Sequence, residues 1–334
     1  MMRGQSDLLA RYAEAAFWMA RYVERAENLA RLVDVNETFA RDSRGSSSWA
    51  ALVQLNADTE RFADRHGEDQ TSAENVLNFY LLDTENPTSI RSSIRMARES
   101  ARTLRPLIST EMWTHLNVFY NRMLALTPAN ISSPRVSRLC TTIKEACQAH
   151  TGIVEGTFYR DEGWYFYQIG RRLERADQTS RLLDIKYHTL LPTPDDVGSS
   201  LDISQWNALL RSVAGYHAFR RVHPRDLSAN DAAGFLIFDN AFPRSIQGGI
   251  NEIATFLGEL RSRYGLRGGA GAMERLDEIQ AVLSTRTIER IVEGGLHEFL
   301  DAIQTQLIAL SSDLGSAFFG HDYASEPELA EARD

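Results

Sequence analysis

Cysteine is scarce in this chain of 334 residues: Cys140 and Cys147 are the only two. On the helix expected there they would stand about 10 Å apart along the axis, too far for a disulfide, and they read as core thiols. Metal spacings are missing too. There is no Cys-x-x-Cys and no His-Glu-x-x-His, and no Glu has a His three positions later. That excludes the familiar zinc patterns and the di-iron pattern of helical bundles. No stretch of about 18 apolar residues occurs, so no membrane span is expected. The opening MMRGQSDLLARY has no apolar segment of the secretory kind, which predicts a cytoplasmic location. Strand-period alternation is absent, whereas apolar positions recur with the helical period.

Positive charge is in deficit. Lys and Arg total 36 against 45 Asp and Glu, a net charge of -9. This argues against a nucleic-acid surface spread over the whole protein, leaving only local basic patches such as Arg220-Arg221. A composition of 43% hydrophobic and 24% charged residues is that of a globular chain, long enough for one large domain or two ordinary ones. The one glycine-rich stretch, Gly265 to Gly271, follows a helix rather than a strand and lacks the Lys-Ser/Thr ending of a phosphate loop. It reads as an inter-helix loop.

What the chain does have is a segment written twice. Phe17 to Val35, FWMARYVERAENLARLVDV, aligns without a gap with Tyr167 to Ile185, YQIGRRLERADQTSRLLDI, and 7 of the 19 positions are identical. On a helical wheel Met19, Tyr22, Val23, Ala26, Leu29, Ala30 and Val33 share one face. An apolar face needs only suitable size, yet here it is mainly the charged positions that return. Arg21, Glu24, Arg25, Asn28 and Arg31 answer Arg171, Glu174, Arg175, Gln178 and Arg181. Two such helices face to face could interlock guanidinium and carboxylate groups in bidentate pairs. The pairs would either fix how the helices cross or hold an anionic or peptide-like ligand.

The remaining pattern extends the repeat. Helices are expected over Leu8 to Arg41 (started by Ser6-Asp7), Trp49 to His66, Ser72 to Leu82, Thr88 to Leu104, Glu111 to Leu126 and Arg135 to Phe158. Gly163 to Leu191 restarts the order after 150 residues, and Pro192 to Ser200 is a linker. Phe79 to Ile94, FYLLDTENPTSIRSSI, answers Phe235 to Ile250, FLIFDNAFPRSIQGGI. The fold class predicted is therefore all-α, a tandem duplication of a helical unit of roughly 155 residues forming one large bundle. Residues 1–160 are the first repeat, 161–320 the second, and 321–334 an acidic tail expected to be disordered.

Other candidates carry weaker chemistry. In Asp-x-x-x-Pro-x-Ser, Asp83 and Asp239 are expected to end one helix and cap the next, with Pro87 and Pro243 opening it. Arg244 adds a positive charge there, where the first half has Thr88. Tyr216 to Arg221, YHAFRR, is set against Asp58 to Ala63, which keeps little of it. His217 is a conceivable general base, but no Ser or Cys partner stands in a recognisable motif. Trp164 to Tyr167 reads as packing.

The run Arg21-x-x-Glu24-Arg25-Ala26-Glu27-Asn28-x-Ala30-Arg31-Leu32 and the run Gly163 to Asp177, GWYFYQIGRRLERAD, resemble the motifs of the alpha-E domain family. So do Glu111-Met112-Trp113, Tyr216 to Arg221 and Phe242 to Ser245. The resemblance covers about 8–320, and departs at His217, where Glu is expected. It implies an all-helical bacterial protein in the company of circularly permuted ATP-grasp and transglutaminase-like proteins, and so a role in forming or modifying peptide or amide bonds. It carries no established catalytic residue, cofactor or metal. Three functions stay open: a non-catalytic partner or substrate-holding subunit of an ATP-grasp amidoligase-type enzyme, an enzyme acting on an amino-acid or peptide substrate through the Arg/Glu cluster, or a helical scaffold or homo-oligomer. The ligand- or partner-binding candidates are Arg21, Glu24, Arg25, Asn28, Arg31, Arg171, Glu174, Arg175, Gln178, Arg181, Tyr216, Arg220 and Arg244.

Overall fold

Two long helices, α1 (Ala10–Asp42) and α8 (Glu162–Thr189), run side by side through the middle of the protein. The structure is a computed structural model, described here over residues 8–42, 49–67, 70–132, 135–189, 200–225 and 227–320. Their contacts join residues whose numbers differ by about 150: Phe17 with Gly170, Arg21 with Glu174 and Glu24 with Arg175. A constant difference means that the helices are parallel. They approach closely where Gly170 faces Phe17. A Cβ on Gly170 would come within 2.3 Å of the Phe17 carbonyl oxygen, a contact no alanine could make.

After α1 come the short helices α2 (Ala50–Leu55), α3 (Thr59–His66) and α4 (Ala73–Leu81), then α5 (Ile90–Thr103), α6 (Thr110–Leu124) and α7 (Arg135–Thr157), with a 3-10 turn at Pro128–Asn130. After α8 come α9 (Ser200–Ser212), α10 (Tyr216–Val222), α11 (Ala229–Phe238), α12 (Ile246–Tyr264), α13 (Ala270–Thr285), α14 (Ile288–Gly294) and α15 (Leu296–Phe318). α5 and α7 pack against α1 with α6 outside them; α12 and α15 pack against α8 with α13 outside. The short helices cross over, α2 packing on α8 and α9 on α1. One hydrophobic cluster runs through all of this, from Phe17, Met19 and Val33 to Phe166, Ile250 and Leu310. Each large apolar side chain buried in it contributes about 1.5–3 kcal/mol. Among the described residues every element is helical, and no helix is long and apolar enough to cross a membrane.

The apolar face expected for α1 is buried, with Tyr22 only half so. Cys140 and Cys147 are free, fully buried thiols, and burial pushes the Cys140 pKa up to about 12. Ser72 caps α4 as expected, accepting from the Asn75 N–H. The Asp-x-x-x-Pro-x-Ser element works differently from expectation. The caps are Ser89 and Ser245, which accept from the N–H groups of Ser92 and Gly248. Asp83 and Asp239 instead close the preceding turns by accepting from Glu85 and Ala241 N–H. Pro87 and Pro243 lie two residues before the caps, where their fixed φ shapes the turn.

The helix expected over Trp49 to His66 is broken. Ala57 sits at φ +55°, and the N–H groups of Ala57 and Asp58 turn back to the Gln54 and Val53 carbonyls at 3.0 and 3.1 Å. This is a Schellman ending with alanine in the left-handed position usually held by glycine. The same ending closes α9: Ala214 sits at φ +57°, with Ala214 and Gly215 N–H on Arg211 and Leu210 at 3.0 and 2.7 Å. The break falls at the same place in both halves, Ala57 answering Ala214. Phe62 and His66 (rings 4.8 Å apart) correspond to Phe219 and His223 (4.7 Å), so YHAFRR lies one residue away from the alignment with Asp58 to Ala63. The Ser6-Asp7 cap, nearly all of the 192–200 linker and the acidic tail lie outside the described residues.

Candidate functional site

The charged face of α1 and α8 is buried where the two helices meet, because arginines at i and i+4 on one helix reach the glutamate of the other. The Glu174 carboxylate is fully buried and accepts from Arg21 Nε at 2.8 Å and from Arg25 Nε and Nη2 at 2.8 and 3.1 Å. Arg21 Nη1 goes on to Ser311 Oγ on α15 at 2.9 Å. The return pair has Arg175 Nε 2.8 Å from Glu24 Oε1, though off the N–H axis. Glu24 takes a second cation, Arg244, whose Nη1 donates to Glu24 Oε1 at 2.7 Å and to Asn28 Oδ1 at 2.6 Å. Arg244 Nη2 reaches Glu27 Oε1 at 3.0 Å, an oxygen that Arg31 Nη2 also holds at 2.6 Å. Thr179 Oγ1 donates to the Arg244 carbonyl at 2.9 Å, so the α12 entry turn is tied to α8 as well.

The flanks are built the same way. Arg181 pairs with Asp177 one turn back, and Gln178 Nε2 touches Glu174 Oε1 at 3.4 Å. Arg171 donates one N–H to Glu155 on α7, while its Nε and Nη1 are buried without an acceptor. Asp34 binds Lys144 of α7 at 2.6 Å, and Asp184, its equivalent, binds His297 of α15 at 2.6 Å. Seven guanidiniums (Arg21, Arg25, Arg31, Arg171, Arg175, Arg181, Arg244) thus meet five carboxylates (Glu24, Glu27, Glu155, Glu174, Asp177) along one seam.

That surplus decides the titration. Burial alone would raise the Glu174 pKa, but Arg25 and Arg21 outweigh it and hold the carboxyl at about 2. For Glu24 burial is likewise overruled, by Arg175 and Arg244, and the group is held well below the carboxylate range. Arg244 is pushed down by burial despite Glu24, but arginine starts so high that it stays charged. Carboxylates locked in the ionised state and saturated by guanidiniums can anchor; they cannot exchange protons near neutral pH.

A family model named Alpha-E and described as "a predicted alpha-helical domain with a conserved ER motif" matches residues 8–319. The chain belongs to the Alpha-E family. No curated protein and no solved structure matches it. Of the Glu-Arg dipeptides in this Alpha-E chain, Glu24-Arg25 and Glu174-Arg175 are the two that meet at the seam, each glutamate on the other helix's arginine.

Eleven of the thirteen candidates named from sequence come together in the Alpha-E seam. Tyr216 and Arg220 do not. Tyr216 lies under the Arg211 guanidinium at 4.9 Å, and exposed Arg220 donates to the Arg225 carbonyl at 3.1 Å. His217 is exposed beside Tyr216. Sequence reading left Gln148, Glu155 and Ser311 out of the site. They come from α7 and α15, where no repeated motif marked them. Two surface clefts lie away from the seam, one at the α12–α13 turn and one among α13, α14 and α15. Among the described residues no group of three or more His, Cys, Asp or Glu is placed to hold a metal.

Proposed function

We propose that this Alpha-E protein is a non-catalytic helical partner in the cytoplasm, holding an ATP-grasp amidoligase-type enzyme or its peptide substrate in a system that forms or modifies peptide or amide bonds. The observation that carries this is the state of Glu24 and Glu174: buried, ionised and fully engaged by the chain's own arginines. Such groups set the geometry of a surface rather than transfer protons. The seam fixes the two long helices against each other. What it offers a partner is the edge where the side chains of Arg25, Arg31 and Arg181 keep 12%, 12% and 22% of their surface. Co-purification with a circularly permuted ATP-grasp protein, and separately with a transglutaminase-like protein, tests it. Arg31→Gln with Arg181→Gln, a pair that keeps a donor for Glu27 and Asp177, is expected to weaken the partner's hold, with circular dichroism checking that the chain stays folded. If neither protein follows the bait, or only a second copy of the chain does, the reading fails.

The same geometry supports descent from one doubled helical unit. The pairs Arg25–Glu174 and Arg175–Glu24 are reciprocal, Asp34 and Asp184 bind equivalent helices, and Ala57/Ala214 and Ser89/Ser245 occupy the same local conformations.

A second reading, that the chain itself binds an acidic or amino-acid substrate, draws on the surplus of guanidiniums and on the two Arg171 N–H groups without an acceptor. Calorimetric titration with a short glutamate-rich peptide separates the two. Heat that disappears in Arg171→Gln favours the second reading; none from the unmodified protein rules it out.

A further inference from the structure

The cleft at the α12–α13 turn stands apart from the seam and has a charge pattern of its own. It measures about 670 Å³ and opens between Gly258 and Met273. Leu266 and Met273 line it with apolar surface, Arg261 and Arg267 supply the charge, and Ser262 adds a hydroxyl; among the described residues no carboxylate lines it. Both arginines are exposed. In a chain of net charge -9, a cleft whose charged lining among the described residues is Arg261 and Arg267 is an imbalance that an acidic occupant would correct.

The end of α15 lies against this cleft. Gly268, one of its lining residues, is so placed that a Cβ would meet the Ala317 carbonyl oxygen at 3.6 Å. Next to it Gly269 takes φ +71°, and a Cβ there would strike the Phe318 ring at 2.5 Å. Phe318 and Phe319 are themselves fixed against Phe166 at 5.4 and 5.8 Å. The chain therefore leaves Gly320 from an anchored point beside Arg267. From there the sequence continues as HDYASEPELAEARD, with Asp322, Glu326, Glu328, Glu331 and Asp334 against the single Arg333.

We propose that the Arg261/Arg267 cleft is a docking site for an acidic peptide, and that its occupant is the chain's own segment 321–334. Charge complementarity selects that segment, and the tether raises its effective concentration far above that of a free peptide. Being exposed, the ion pairs are screened by salt, so docking weakens as ionic strength rises. The site is independent of the seam and of the function proposed for it.

The test uses the full chain with two small substitutions that keep every charge, Ser262→Cys in the cleft and Ser325→Cys in the segment. Cys140 and Cys147 are buried and do not compete. An intramolecular disulfide is expected to close under mild oxidation about tenfold faster at low salt than at high salt. Arg261→Glu with Arg267→Glu is expected to abolish that advantage, and Glu326→Lys with Glu328→Lys in the same chain to restore it. A closure rate indifferent to salt and to both charge reversals would show a passive tether and overturn the proposal. Disulfide-linked dimers as the main product would overturn it in favour of a second copy in the cleft.

Discussion

Arg25 holds Glu174 through both Nε and Nη2, at 2.8 and 3.1 Å, while the same two positions exchanged between the helices bring Arg175 Nε to 2.8 Å from Glu24. Each long helix thus supplies both the cation and the anion of a reciprocal clasp. A clasp of this kind specifies side-by-side alignment, because sliding one helix by a single residue would part both pairs at once.

Removing one partner exposes the cost of burying the rest. Glu174→Ala leaves Arg21 and Arg25 buried without their anion and is expected to destabilise the protein by about 3–5 kcal/mol. Urea denaturation measures this. A loss near zero would mean that the arginines find water instead, and that the seam is open.

Acid should act on the same groups. Glu174 titrates near 2 when folded against an ordinary value of 4.5. Its contribution is therefore complete above about 4.5 and is lost as pH falls through 2, because the unfolded chain takes up the proton first. Melting temperature against pH is expected to fall across that interval in the natural protein, and less steeply in Glu174→Gln.

His150 adds an earlier acid response. It is fully buried, neither ring nitrogen has a partner, and burial, with help from His115 and Arg171, lowers its pKa from 6.5 to about 3. The unfolded chain binds this proton below 6.5 and the folded one does not, so stability drops as pH falls from 6.5 toward 3. His150→Leu, close in size and free of unpaired polar atoms, is expected to be neutral or stabilising at pH 7. It should also flatten the stability profile between pH 6.5 and 4.5; a steep loss of stability at neutral pH would count against an unpaired imidazole.

Gly170→Ala tests the closeness of the helices. The added methyl would press on the Phe17 carbonyl at 2.3 Å, backbone against side chain, with nothing flexible to yield. A destabilisation of about 1–3 kcal/mol or more is expected. If the variant is as stable as the parent, the seam has slack that the geometry does not show.

The helix breaks at Ala57 and Ala214 predict the opposite sign. A left-handed alanine costs roughly 1 kcal/mol that glycine avoids, partly offset by glycine's greater freedom when unfolded. Ala57→Gly and Ala214→Gly should be neutral to slightly stabilising by thermal melting, whereas Ala57→Val should be clearly destabilising.

Much of this is legible in the order of residues. The helical period names the all-α class, and the doubled run Phe17 to Val35 names most of the seam, because charged positions return only where something constrains them. Tyr216 and Arg220 are misplaced by sequence because a local motif carries no information about which way its helix is turned. The break at Ala57 is missed because alanine is the strongest helix former, and nothing local announces that it will turn left-handed. Its reason is distant: the break brings Asp58 under Tyr80 and Thr88, whose hydroxyls donate to it at 3.2 and 3.0 Å.

By itself, then, the chain's composition and periodicity determined the helices, their charged and apolar faces, and the likeness of the two halves, since periodicity and propensity act over a few turns of one helix. Only the tertiary structure decided that the charged faces turn inward, that α1 and α8 lie parallel, and that Ser311, Gln148 and Glu155 complete the seam at Arg21, Glu27 and Arg171. Those outcomes depend on contacts between residues far apart in the chain, from Gln148 with Glu27 to Arg21 with Ser311. A buried charge can be recognised as partnered only when the packing brings its partner within reach.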